Sequence, residues 1–220
     1  LHASELTFPG VDPESFHVTL DAWRQSGPVG RALLRVNRTL AGRLLVGPWL
    51  SIARGIRTTR PSSWVAHVPL AAATAFLVLG VAGLPAWEYA VGIVWGGTAC
   101  TLLRSFAEHR YTGGAGTPSA VVRSNSAVSL LFLNNNLHLV HHDKPGLPWY
   151  RIPAFYRQRR ALFLASNGGY YYKGYREVFR RYFLRAKEQP LHPSAAQPPR
   201  SVMPTQSRTP RAVRSASRRP

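Results

Sequence analysis

Residues Trp64–Gly83 read WVAHVPLAAATAFLVLGVAG, and after Leu84-Pro85-Ala86 residues Trp87–Leu103 read WEYAVGIVWGGTACTLL. The first run has the length of one bilayer crossing, with His67, near one end, as its only ionisable residue. The second is slightly short for a crossing and carries Glu88 at its start. Leu84-Pro85 leaves room only for a tight turn, so the two runs predict a transmembrane hairpin over about residues 64–103. Trp64, Trp87 and Tyr89 stand where aromatic side chains favour the membrane–water interface. A hairpin buried in a large soluble core is disfavoured, because the rest of the chain has no comparable apolar mass.

Charge orients the hairpin. Arg54, Arg57 and Arg60 precede it, Arg104 and Arg110 come after it, and the closed end has no Lys or Arg. Basic residues stay on the cytoplasmic side, so the open end is expected to face the cytoplasm. The 220-residue chain carries 28 Lys and Arg against 9 Asp and Glu, a net charge of +19. Arg24 to Arg60 holds eight arginines without an acid, and Pro190 to Pro220 holds six, again without an acid. The latter are set among Pro, Ser, Ala and Gln, a composition that cannot bury enough apolar surface to fold. Residues 188–220 are therefore expected to form a disordered basic tail. Because the charges flank apolar segments, a membrane rather than a nucleic acid is the expected partner. Within Gly30–Leu50, Leu33, Leu40 and Leu44 alternate with Arg31, Arg35 and Arg38 at helical spacing. That pattern suits a helix lying on an anionic membrane surface, and a solvated amphipathic helix equally. Cys100 is alone, which excludes an internal disulfide framework and a thiolate metal site; a small buried hydrophobe is its expected role. Nothing at the start resembles a signal peptide, and Leu1 reads as a point partway along a longer protein.

The chemistry is concentrated in Asn134–Pro145, NNNLHLVHHDKP, which holds three of the eight histidines. His138, His141 and His142 fall at i, i+3 and i+4, so on a helix three imidazoles share one face. Neutral imidazole is the commonest nitrogen ligand for transition metals. Ser126–Leu133 (SAVSLLFL) is too short to span and leads into this run, placing the motif at the end of an apolar helix. His109, in Arg104–Arg110 (RSFAEHR), lies six residues past the second apolar run, and the hairpin returns it to the same face. Glu108 and Asp143 each adjoin a candidate ligand and could orient an imidazole through its second nitrogen. Asn134 and Asn135, one turn before His138, could face a metal, whereas Asn136 is expected to cap the helix start. His17 and His192 are expected on the surface, and His67 at a helix end. Phe155–Lys187, rich in Tyr, Phe and Arg, predicts helices at the headgroup level. The expected fold is all-α: an integral membrane helical protein with a transmembrane hairpin, a cytoplasmic-face histidine cluster and a disordered tail.

HLVHH continuing into DKPGLPWYRIP, with RSFAEHR upstream, resembles the membrane fatty acid desaturase superfamily, which includes alkane hydroxylases and carotenoid hydroxylases and ketolases. The resemblance covers residues 1–187, and Leu6–Phe16 (LTFPGVDPESF) is similar to the segment just after the second histidine box in bacterial members. It implies a non-haem di-iron oxidoreductase that uses O2 to oxidise a C–H bond of a lipid or hydrocarbon chain. Electrons would come from an external ferredoxin- or cytochrome-like donor, and the setting would be a bacterial inner membrane. The implied metal ligands are His138, His141 and His142 as the third box and His109 as the additional histidine, with His2 as the remnant of the second. The first box is absent, so the chain reads as N-terminally truncated, with at most five ligands and about half a site. Alone it is expected to be inactive. A desaturase, a hydroxylase or ketolase, and a non-catalytic remnant of the fold all remain open at this level.

Overall fold

The computed structural model describes residues 6–12, 14–113 and 116–196; His2 and the basic stretch from residue 197 onward lie outside them. The described residues are mostly helical. Two helices, Pro61–Val81 and Ala86–Glu108, are long and apolar enough to cross a membrane. Pro61 opens the first, where its fixed φ suits a helix and its missing N–H costs nothing. Gly83, at φ +68°, makes the turn between them. Thr74, Thr98 and Thr101 each donate their hydroxyl to the carbonyl four residues back (2.8, 2.6 and 3.1 Å), which is what hydrocarbon surroundings demand. Val65, Leu70, Phe76 and Trp87 are more than half exposed, an apolar surface that needs a non-aqueous cover. Cys100 lies on an exposed face of the second span, not in a core as expected. The second span runs five residues beyond Leu103, so His109 comes directly after its last turn.

Gly30–Leu50 is not one amphipathic helix. It breaks into Pro28–Val36, Leu40–Leu45 and the start of Gly47–Thr58. Thr39 caps the middle helix, its hydroxyl accepting from Gly42 N at 3.0 Å. Arg38 and Arg43 turn inward and are buried, so the arginine face does not stay on one surface. The break is tight: a Cβ on Gly42 would stand 2.0 Å from the Val36 carbonyl oxygen. Gly42→Ala is therefore expected to destabilise the protein by about 2 kcal/mol or more, read as a lowered thermal midpoint of the purified protein.

The non-helical exception organises the interior. β1 (Val121–Val122) pairs in parallel with β2 (Tyr171–Tyr172). Successive strand residues face opposite sides. Val121 joins a core of Leu137, Leu139, Val140, Ile152 and Phe163, while Val122 joins Leu40, Phe106, Ala107, Tyr172 and Val178. This short plank also ties two distant stretches together. Ala120 N donates to Glu108 O (2.7 Å), Ser119 bridges His109, and Val122 N donates to Asn136 O (2.8 Å).

The chain past Lys187 is not wholly tail. Val18 N donates to Pro190 O at 2.9 Å and His192 N to Val18 O at 3.2 Å. His17 and His192, expected at the surface, are both buried at this seam, their rings edge to face at 5.1 Å. Glu188 explains the difference, because its carboxylate anchors the segment among buried cations. Only the part of the expected tail from residue 197 onward falls outside the described residues.

Candidate metal centre

The histidine motif occupies its own short helix, His138–Asp143, rather than the end of the preceding apolar one. The helix Ser126–Leu131, capped by Asn125, stops, and Leu133 and Asn134 take positive φ values of 49° and 58°. The reversal lets Asn136 reach the plank: its Nδ2 donates to Val122 O at 2.7 Å, so Asn136 pins the loop and is not a helix cap. His138 then begins a helix whose first turn is buried by Leu139 and Val140.

Three imidazoles meet there. Nε2 of His138 stands 3.0 Å from Nε2 of His109 and 2.9 Å from Nε2 of His142. The second nitrogen of His138, Nδ1, donates to Asn135 Oδ1 at 3.1 Å. That bond puts the His138 proton on Nδ1 and leaves one lone pair at Nε2 facing two neighbours. One N–H···N bond would explain either contact, but a single lone pair cannot serve both well. An ion answers the geometry: cis imidazole nitrogens about 2.1 Å from a six-coordinate metal stand about 3.0 Å apart. The residues present fit one such ion. His109, His138 and His142 place a ligand atom each within 4.8 Å of one another. His141, expected as a ligand, is not brought into this group; its ring stacks on His138 at a centroid distance of 5.7 Å.

Carboxylates surround the trio. Glu108 is fully buried, with Oε1 3.5 Å from His138 Nδ1, and both its oxygens lack a hydrogen-bond partner. Arg104 stands 3.2 Å from Glu108 Oε1 and donates to Glu14 Oε1 at 2.7 Å. One guanidinium thus serves two carboxylates, a local excess of acid that suits a bound cation. Glu14 also brings Oε2 to 3.8 Å from His109 Nε2. It is aimed by Asp12, whose carboxylate accepts from Thr7 N and Glu14 N, both at 2.8 Å. Asp143, expected beside Glu108 as an orienting acid, is exposed at the end of its helix. Asn134 turns away and donates to Trp149 O at 3.0 Å, which leaves Asn135 as the asparagine that serves the centre.

The electrostatics keep the imidazoles neutral. Burial, helped by repulsion from His142 and nearby cations, pulls His109 down to about 3. Burial and the neighbouring imidazoles lower His138 as well, and burial and His141 lower His142. Neutral rings offer free lone pairs near neutral pH, the state that binds metal. Lys187 fixes the approach of His109. Its ammonium donates to the carbonyls of Phe106, Ala107 (3.4 Å) and His109 (2.6 Å), capping the end of the second span. Glu14 and Lys187 are not legible as site residues in the sequence. The acid-bearing loop VDPES carries a weak hint of the first, whereas only tertiary structure brings Lys187 in.

Asn135→Ala is expected to weaken metal binding about 10-fold to 100-fold while leaving the fold intact. Equilibrium dialysis against ferrous or cobaltous ion, with circular dichroism as the folding control, checks it.

Searches of curated proteins and of solved structures return no significant match. Residues 2–174, which contain His109 and the whole HLVHH motif, match the family model described as fatty acid desaturase. The chain belongs to the fatty acid desaturase family.

Proposed function

We propose that this chain carries part of the non-haem di-iron site of a membrane oxidoreductase that oxidises a C–H bond of a lipid chain with O2. The observation that supports it most is the convergence of three Nε2 atoms at 2.9 and 3.0 Å beside two apolar spans. His109, His138 and His142 would hold one iron, which would supply the activation of dioxygen that no side chain provides. His141, next to the trio, is assigned to a second ion, and His2 is kept as a ligand of the second box.

The chain's own residues set the conditions. Asn135 holds the His138 tautomer, Glu108 and Arg104 back the ring, and Lys187 holds the backbone of His109. The apolar face of the spans supports an acyl chain as substrate, with the cluster at the cytoplasmic end of a bacterial inner-membrane hairpin. Electrons would arrive from a separate ferredoxin- or cytochrome-like protein. The described residues bring together ligands for one ion, at His109, His138 and His142.

Lipid mass spectrometry on cells expressing the chain joined to a segment carrying further histidine boxes tests the reading. A lipid two hydrogens lighter identifies a desaturase, and one oxygen heavier a hydroxylase. Unchanged lipid, from a protein shown to hold iron, would overturn the enzymatic reading.

A further inference from the structure

An open groove of about 670 Å³ lies between residues 123–137, which include the helix Ser126–Leu131, and the helix Ile152–Ser166. Arg123, Arg157 and Arg160 line it, and among the described residues none of the three is ion-paired with a carboxylate. At the groove's inner side is Asn136, 2% exposed. Its Nδ2 is spent on Val122 O, and its Oδ1 has no hydrogen-bond partner. The Tyr156 hydroxyl also lines the groove, beside Arg160. The site therefore offers three cationic forks for an anion and one buried acceptor that wants a donor.

The rim is apolar. Leu130 lines the groove at 58% exposed, with Leu131 (64%) and Leu133 (52%) beside it in sequence. Asn134, another lining residue, holds the backbone of Trp149, and the exposed Tyr150 comes next. Exposed leucines, interfacial aromatics and arginines around one polar cleft match the layers of a lipid: acyl chain, glycerol level and phosphate.

We propose that this groove binds the headgroup of an anionic glycerophospholipid. The phosphodiester would lie among Arg123, Arg157 and Arg160, and a headgroup hydroxyl would donate to Asn136 Oδ1. Phosphatidylglycerol has both features. Phosphatidylcholine has the phosphate, but its cationic, donor-free headgroup meets arginines and an acceptor. No metal is required, so this proposal and the oxidoreductase reading can fail separately.

Calorimetric titration of the metal-free full chain in neutral detergent, with dihexanoyl phosphatidylglycerol as the probe, tests it. Saturable binding with one lipid per chain is expected, weakened about 10-fold or more in Arg157→Gln and in Arg160→Gln. Arg180→Gln, a charge change on the exposed face of the Tyr175–Tyr182 helix, should bind as the parent does. Dihexanoyl phosphatidylcholine should bind at least about 10-fold more weakly. Equal binding by the groove variants, or equal losses in Arg180→Gln, would overturn the proposal in favour of diffuse charge attraction. Glycerol 3-phosphate binding as tightly as the lipid would overturn it in favour of a soluble phosphate ester.

Discussion

Replacing His138 with alanine is expected to lower the affinity for ferrous or cobaltous ion by more than about 100-fold. His138 is the hinge of the trio: its Nε2 faces both His109 and His142, while its Nδ1 is fixed by Asn135. Without it the two outer imidazoles lose their shared neighbour, and Glu108 loses the ring it stands against. The fold should persist, since Leu139 and Val140 still anchor the helix in its core. Dialysis with metal analysis and the cobalt absorption spectrum read the effect. His141→Ala gives the contrast, because its ring lies outside the group and the one-ion centre should survive. Equal metal loss in both variants would place the ion elsewhere.

Glu188→Ala is expected to destabilise the protein by about 3–5 kcal/mol, because it strips the carboxylate from a buried set of cations. Its Oε2 accepts from Arg38 Nη2 and its Oε1 from Tyr111 N, both at 2.9 Å. Lys187 adjoins it in sequence, and Arg43 is buried in the same region. Burial would raise the Glu188 carboxyl, but His17, Lys187, Arg38 and the Tyr111 amide together outweigh it and hold the group at about 2. A carboxyl held below its ordinary 4.5 stabilises the fold fully above that pH and loses the contribution as pH falls through about 2. The contribution is on the order of 3 kcal/mol, so acid unfolding should begin below pH 4.5 in the parent. In Glu188→Ala that acid-dependent loss should be missing. Denaturant unfolding at several pH values measures both, and a variant as stable as the parent at pH 7 would refute the anchoring role.

The site is more legible in the sequence than the fold that carries it. Three histidines at i, i+3 and i+4, plus one directly after an apolar run, reveal themselves by type and spacing, and His109, His138 and His142 do converge. The two helices long and apolar enough to cross a membrane are equally legible, because length and composition alone mark them. What stays hidden depends on contacts between distant segments. A two-residue parallel strand has no period to detect, yet β1 sets the register between His109 and the motif. His192 reads as part of a polar tail because its burial is conferred by Val18, Phe8 and Tyr111, all far away in sequence. The break at Leu133-Asn134 adopts left-handed backbone at a leucine, which local propensity does not anticipate. Arg38 and Arg43 mislead in the same way: helical spacing suggests one surface face, and the partly buried Glu188 carboxylate draws Arg38 inward.

Whether this chain holds one metal ion, at His109, His138 and His142, is tested most directly by iron analysis of the purified, ferrous-loaded 220-residue chain. One iron per chain, lost in His138→Ala, is the predicted result. Two irons per chain, or one that survives His138→Ala, would contradict it.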